Sequence, residues 1–296
     1  MLPTPDEPTN SLQLADWLEL EALIAKDRNS SFGDLERFLR RLGLFESRTD
    51  EDIERKIAEV ADELSRRIVA AGSAYPFSMH GSVLLARSRR PKYSPYIFCL
   101  CLSYLGRGRR QLEMISARRL FEELSSAAAG NYVKGKAVRF AWPRKNISKA
   151  FKEAVNDLCS RKNIGEGLGF RQQTVSSSKD SRLDVVAWRD FPDGLPGKLL
   201  MFGACSSGGN WQSKINELNP DSFCKKWMSE QPISLVKAFF VPHRLEEPCW
   251  KHHSLDAGII FDRCRIAFWA TNGTNTIGHS EIRDWAKSIL RDVATS

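Results

Sequence analysis

The chain has 296 residues, of which 42% are hydrophobic and 27% are charged, a composition typical of a soluble globular protein with room for two domains. No apolar run is long enough to cross a bilayer, and the N-terminus lacks a signal-peptide pattern, so we expect a cytoplasmic protein. The formal net charge of +8 favours a polyanionic partner such as a nucleic acid.

The first 130 residues are predicted to be mostly helical. Apolar residues recur at three- and four-residue steps from residue 11, where Ser11 is the candidate cap, and a long amphipathic helix is predicted over 50–71. Further helices are predicted over 32–42, 93–105 and 112–129. We therefore place a helical domain at residues 1–135 and a second domain at 136–296.

The second domain mixes strand and helix patterns. Two apolar segments, 183–188 and 198–206, flank a linker rich in turn-forming residues, which predicts a β-hairpin. The remaining predicted strands are 138–142, 170–175, 233–241 and 265–270, and the remaining predicted helices are 147–159, 212–218, 221–228 and 280–293. This order of elements predicts an α/β domain built on a mixed sheet.

Asp184 is the one carboxylate in the first hairpin segment. An acid in an apolar strand is costly unless something pairs with it, and a divalent cation is a common partner beside phosphate-binding surface. Clusters of basic residues supply such surface in this chain. The candidate nucleic-acid-binding residues are Arg107, Arg109, Arg110, Arg144, Lys145 and Gln172.

The order of elements over residues of about 145–275, with a strand aspartate and a nearby lysine, resembles the PD-(D/E)xK nuclease superfamily. The resemblance implies a restriction-endonuclease-like αβββαβ domain. It also implies Mg²⁺- or Mn²⁺-dependent hydrolysis of phosphodiester bonds, in which oxygen ligands hold the metal and a lysine stabilises the developing charge. The family pattern has an Asp on the second strand, Glu or Gln and Lys one residue apart on the third, and a Glu on the preceding helix.

Asp184 matches the strand aspartate of this pattern, but the third strand departs from it. Ala204 stands where Glu or Gln is expected, and Ser206 stands where Lys is expected. Either the site has lost its function, or Ala204 is a deliberate replacement that inactivates the chain. Lys214, in the helix after the third strand, is the candidate replacement for the missing lysine; the alternative is an ordinary solvated lysine.

The helix glutamate of the family is assigned to Glu153, with Glu166 in a Gly-rich turn as an alternative. Both acids have a simpler interpretation as solvated surface residues. Cys205, between Ala204 and Ser206, is assigned as a second candidate metal ligand beside Asp184.

The resemblance leads us to expect a metal-dependent endonuclease that acts on DNA in a bacterial antiphage defence or restriction system. The helical domain would then sense a trigger, dock a partner protein of a defence complex, or contact DNA. No membrane partner is expected, and an oligomer is left open. Ala204 and Ser206 favour an alternative, in which a catalytically dead nuclease-fold subunit binds nucleic acid or a partner protein. A third interpretation is a pure interaction subunit that meets an acidic protein.

Overall fold

The computed structural model describes residues 2–43, 50–88, 90–106, 109–145, 147–160, 163–171, 181–275 and 279–295. The α-helices in this part of the chain are α1 (Ser11–Ile24), α2 (Phe32–Arg41), α3 (Asp50–Ala71), α4 (Ser94–Leu105), α5 (Gln111–Tyr132), α6 (Phe151–Cys159), α7 (Pro220–Trp227), α8 (Glu247–Ala257), α9 (Arg263–Thr271) and α10 (His279–Thr295). The strands are β1 (Asn29–Ser31), β2 (Phe77–His80), β3 (Val83–Ala86), β4 (Lys136–Arg139), β5 (Val185–Arg189), β6 (Leu199–Cys205), β7 (Leu235–Phe240) and β8 (Ile259–Phe261). None of these helices combines the length and the apolar composition that a bilayer span requires.

The larger sheet has five strands in the order β4-β5-β6-β7-β8. The first three strands are antiparallel, and β7 and β8 continue parallel to β6. β5 and β6 form the predicted hairpin, with Val185 opposite Gly203. The chain reaches β7 through α7, because a parallel neighbour requires a crossover connection. The prediction of a mixed α/β fold is therefore confirmed.

Helices cover both faces of this sheet. Side chains alternate along β5, so Val185 packs towards α4, α5 and α9, whereas Val186 packs towards α6 and α7. Four of the five residues of β5 are buried, which explains why the strand appears as a continuous apolar run in the sequence.

A second, three-stranded antiparallel sheet has the order β1-β3-β2 and lies within the first part of the chain. The sequence predicts a mostly helical first part and indicates no strand within it, so this sheet adds to the prediction. Its strands have only three or four residues, too few to show a clear alternation. The turn between β2 and β3 contains Gly81 at a φ of 60°, a left-handed conformation that glycine adopts without strain.

Other predicted elements differ from the structure. Residues 265–270, predicted as a strand, belong to α9, and the strand of this region is β8. Of the predicted strand 170–175, Phe170 forms an isolated bridge with Met228, and the part from residue 172 lies outside the described residues. The cap of α1 is Asn10 and not Ser11, since the Asn10 side chain accepts hydrogen bonds from the next helical amides.

The C-terminal helices pack into the same core as the first helices. Cys264, Ala267 and Ile289 belong to one apolar cluster with Leu14 and Leu64. The division of the chain at residue 135 stays a prediction, but the packing of α9 and α10 shows that the last part of the chain completes the core of the first.

Candidate functional site

A small polar cleft of about 130 Å³ opens at the edge of the large sheet where β5 begins and β6 ends. Because these strands are antiparallel, the start of one and the end of the other lie side by side. The cleft is lined by Glu122, Arg182, Asp184, Ala204, Cys205, Lys214, Glu217 and Phe239. The structure thus brings together Asp184, Ala204, Cys205 and Lys214 of the predicted site residues.

Asp184 continues the strand pairing of β5 by one residue. Its amide donates to the carbonyl of Gly203 at 2.9 Å, and its own carbonyl accepts from the amides of Phe140 and Ala141 at 2.7 and 3.2 Å. Its carboxylate oxygen Oδ2 accepts from the backbone N–H of Cys205 at 2.7 Å. The half-buried carboxylate is therefore held at a fixed position beside the end of β6.

The second carboxylate of the cleft floor is Glu122, which the sequence analysis missed. It lies on α5, and its Oε2 accepts from Nε and Nη2 of Arg139 at 2.7 and 2.6 Å. Arg139 is itself only 7% exposed, so this ion pair ties α5 to β4 in a region of low solvent access.

Glu153, the predicted helix glutamate, is exposed in the first turn of α6 and does not line the cleft. α6 packs on the opposite face of the sheet from α5. The antiparallel strands begin with β4, and the helix that precedes β4 is α5, whereas α6 precedes β5. A search for an acid on the helix that precedes β4, instead of the helix that precedes β5, would have led to α5 and so to Glu122.

Ala204 contributes a methyl group to the cleft and no metal ligand. Ser206 is 2% exposed and does not line the cleft. Its amide donates to the carbonyl of Phe240 at 2.9 Å, and its buried hydroxyl has no hydrogen-bond partner within the described part of the chain. Ser206 therefore supplies neither the charge nor the reach of the lysine that the family pattern has at this position.

Cys205 lies between the two acids, and its environment disfavours the thiolate. Burial raises the pKa of the Cys205 thiol well above its ordinary value, and the nearby charges of Asp184 and Glu122 raise that pKa further. The metal-ligand role of Cys205 stays a prediction, although Mg²⁺ and Mn²⁺ prefer oxygen ligands to thiols. Its backbone N–H, which holds Asp184, is the group that serves the site.

Lys214 reaches the cleft from the end of a short 3₁₀ helix, Trp211–Lys214. Trp211 is buried and packs this helix into the core around Phe202 and Phe223. Within the described residues Lys214 has no ion-pair partner. On the rim, Arg182 faces Glu217, with 3.5 Å between Nε and Oε2. Among the described residues the cleft therefore offers three carboxylates, Glu122, Asp184 and Glu217, and the ammonium group of Lys214.

Glu166 lies outside the cleft and has a structural role. It is 6% exposed, and its Oε1 accepts from the amides of Gly197 and Lys198 at 2.7 and 3.1 Å. Its Oε2 accepts from the amide of Ile233 at 3.4 Å. The carboxylate thus joins the hairpin linker to the segment before β7.

The predicted nucleic-acid-binding residues divide into three groups. The first group is exposed or pairs with an acid at the surface. Arg110 and Lys145 are exposed, and Nζ of Lys145 lies 3.6 Å from Glu123. Arg109 forms an ion pair with Asp292 at 2.6 Å. Arg144 is 3% exposed and lies over the ring of Phe140, so it is a core residue and its assignment is corrected. Arg107 and Gln172 lie outside the described residues.

The described residues contain no group of three or more His, Cys, Asp or Glu side chains arranged to hold a metal. Mg²⁺, however, keeps several waters and is often held by one or two carboxylates together with substrate phosphates. Asp184 and Glu122 both line the cleft and carry carboxylate oxygens of the kind that such a site uses, whereas Ala204 supplies none.

No family model matches the chain, and comparisons with curated proteins and with solved structures also gave no match. A function for this chain must therefore come from the chemistry of the cleft.

Proposed function

We propose that the chain is a metal-dependent phosphodiesterase of the PD-(D/E)xK type, an endonuclease that acts on DNA. The order of elements around the cleft supports this proposal. α5 precedes β4, α6 follows β4, and the chain then forms β5 and β6, which continue the antiparallel set, before it passes through α7 to β7, parallel to β6. Apart from α6, which is inserted between β4 and β5, this order agrees with the αβββαβ order of the restriction-endonuclease-like fold.

The observation that carries the proposal is the meeting of Asp184, Glu122 and Lys214 in one cleft. Asp184 and Glu122 would hold Mg²⁺ or Mn²⁺, which supplies Lewis acidity and a water of lowered pKa. Lys214 is placed to neutralise charge that develops on a phosphate oxygen, and Arg182 on the rim is placed to contact the phosphate backbone.

Ala204 makes this an incomplete site. With one oxygen ligand missing, the affinity for the metal and the rate of cleavage are expected to be low. Cleavage of plasmid DNA in Mg²⁺ or Mn²⁺ by the unaltered chain and by Ala204→Glu and Ala204→Gln tests the proposal. Ala204→Glu is expected to increase cleavage about tenfold or more, since each ligand adds to metal binding and transition-state stabilisation.

Two further variants sharpen this test. Asp184→Asn combined with Ala204→Glu is expected to abolish the gained cleavage, whereas Glu153→Gln, in an exposed acid away from the cleft, is expected to leave it unchanged. If Ala204→Glu and Ala204→Gln fold and bind DNA but cleave nothing, the chain is not a nuclease that lacks one ligand.

That outcome would favour a catalytically dead nuclease-fold subunit that binds nucleic acid or a partner protein. Ala204 and the buried Ser206 are the observations that support this second function. Binding to DNA should then weaken steeply with salt, because phosphate contacts release counterions. A chain that binds no nucleic acid at any salt concentration would instead be an interaction subunit. We place either activity in a cytoplasmic bacterial antiphage defence or restriction system.

A further inference from the structure

A second cavity has a volume of about 450 Å³, and none of the residues that line the cleft also lines this cavity. It is formed by the end of α1, the connection between β3 and α4, the first turn of α4, and the residues of α10 from Arg283 to Ala294. Six basic residues line it: Arg28, Arg87, Arg90, Arg283, Lys287 and Arg291.

The positive charge of this cavity is poorly compensated, since none of the described residues that line it carries a carboxylate. Within the described residues, the only ion-pair partner of Arg283 and Lys287 is Asp284, whose side chain is 63% exposed. Oδ1 of Asp284 lies 3.3 Å from Nε of Arg283 and 4.0 Å from Nζ of Lys287. Exposed pairs of this kind contribute little.

Three of the arginines, Arg87, Arg90 and Arg291, have no ion-pair partner in the described part of the chain. The arginines Arg109, Arg119 and Arg139, by contrast, each contact an acid. Concentrated, unpaired positive charge in a concave site attracts anions.

The floor of the cavity is aliphatic. Leu23 and Ala286 are buried there, while Ile24, Ile97 and Leu290 are partly buried. The part of the lining that the structure describes contains no aromatic ring. The volume lies within the range of small-molecule sites, which is about 300–1,000 Å³. A nucleic-acid backbone has no apolar group of comparable size to cover such a floor, so these features favour a small amphipathic ligand.

We propose that this cavity binds a small phosphorylated molecule whose apolar body contacts the aliphatic floor. Arginine is well suited to this because its guanidinium group forms paired hydrogen bonds with phosphate oxygens. Arg87 and Arg90 approach from the β3–α4 connection, and Arg291 approaches from α10, so the phosphate would lie between two elements. This proposal does not depend on the nuclease activity.

Calorimetric titration of the full chain with three probes tests the proposal: inorganic pyrophosphate, octyl phosphate and ATP. At least one of the two organic phosphates is expected to bind about tenfold more tightly than pyrophosphate, which corresponds to about 1.4 kcal/mol of contact with the floor. A preference for octyl phosphate would identify a lipid-like body, and a preference for ATP would identify a nucleoside body.

Matched variants connect the binding to the cavity. Arg87→Glu and Arg291→Glu are each expected to weaken the preferred organic phosphate about tenfold or more, because each reverses a charge at the phosphate. Leu290→Asn is expected to reduce the preference over pyrophosphate. Arg118→Glu, an exposed arginine on α5 outside the cavity, is the control for net charge and should have little effect.

The proposal is overturned if neither organic phosphate binds more tightly than pyrophosphate, or if Arg291→Glu has no larger effect than Arg118→Glu. It is also overturned if only a short DNA duplex binds, and Arg87→Glu and Arg291→Glu weaken that binding. The cavity would then be part of a nucleic-acid surface.

Discussion

Asp184 is held in position by hydrogen bonds with the backbone around it. Its carboxylate accepts the N–H of Cys205, and its own peptide groups pair with both neighbouring strands. A carboxylate held in this way does not have to be reorganised when a metal binds, which is an advantage for catalysis. The Cys205 side chain has no part in this arrangement.

Cys205→Ser is therefore expected to retain the Mn²⁺ affinity of the chain, since the substitution keeps the backbone N–H and a small buried side chain. Calorimetric titration with Mn²⁺ measures this, and Asp184→Asn is the control that should lose binding. A Cys205→Ser variant that loses the metal as completely as Asp184→Asn would show that the thiol is a ligand after all.

Glu166→Ala is expected to reduce the free energy of unfolding by about 1–3 kcal/mol, because the amides of Gly197 and Lys198 lose their acceptor in a buried position. Urea denaturation measures this cost. Glu153→Ala is the matched control: its side chain is exposed, so the change should stay within about 0.5 kcal/mol. Equal stability of the two variants would contradict the structural role of Glu166.

At the scale of single residues, the sequence identifies Asp184 because a lone acid in an apolar strand stands out, and Lys214 because it follows that hairpin closely. It does not identify Glu122, because α5 also carries Glu113 and Glu123 and nothing in the local sequence distinguishes Glu122 from them. Only the pairing of β4 with β5 shows which helix lies beside the aspartate.

At the scale of elements, α9 shows where sequence patterns reach their limit. The segment 265–270 is short and largely apolar, and such a run is compatible with a buried strand or a buried helix. Asp262 decides the outcome, because its Oδ1 accepts the amide of Arg265 at 3.0 Å and so begins the helix. Its Oδ2 also contacts Arg244, and Asp262 is fully buried.

Asp262→Ala is expected to cost about 2–4 kcal/mol of unfolding free energy, since it removes a helix cap and one of the two acids, Asp262 and Glu63, that pair with Arg244. Asn10→Ala removes the cap of α1 and two exposed hydrogen bonds, to Glu7 and Glu246, but no buried ion pair, and is expected to cost about 1 kcal/mol. Chemical denaturation of both variants compares them. Similar costs for the two would mean that the contact with Arg244 contributes nothing.

At the scale of the whole molecule, a buried ion network joins the first helices to the C-terminal part. Arg67 of α3 contacts Asp16 and Glu19 of α1 at 2.7 and 2.9 Å, and Arg263 of α9 also contacts Asp16. The hydroxyl groups of Tyr75 and Tyr96 donate to Glu19 at 2.7 and 2.8 Å. No sequence pattern reveals this network, because its members are far apart in the chain and each looks like an ordinary surface charge.

This network makes stability depend on pH in a defined direction. Burial alone would raise the pKa of Asp16, but the charges of Arg263 and Arg67 outweigh burial and hold that pKa below 3.8. Burial alone would also raise the pKa of Glu63, but the charges of Arg67 and Arg244 keep that pKa below 4.5. Since both pKa values are lower in the folded chain, the carboxylates stabilise the fold at neutral pH, and this contribution is lost as the pH falls below about 4.

Arg67→Met is expected to lower the unfolding free energy at pH 7 by about 3–5 kcal/mol, because buried carboxylates are left without their cation. Acidification should then destabilise the variant less than the unaltered chain, since protonation relieves the unpaired charges. Urea midpoints between pH 7 and pH 3 measure both effects. Arg66→Met, in a neighbour that is 47% exposed, is the control and should cost less than about 1 kcal/mol. Parallel pH profiles for Arg67→Met and the unaltered chain would contradict this role of the network.

The central claim is that the cleft beside Asp184 and Glu122 takes a divalent cation for phosphodiester chemistry. Anomalous diffraction from Mn²⁺-soaked crystals of Ala204→Glu tests it most directly. We expect a peak about 2 Å from a carboxylate oxygen of Asp184, which disappears when Asp184→Asn is added. The absence of a peak in the cleft, or a peak that survives Asp184→Asn, would contradict the claim.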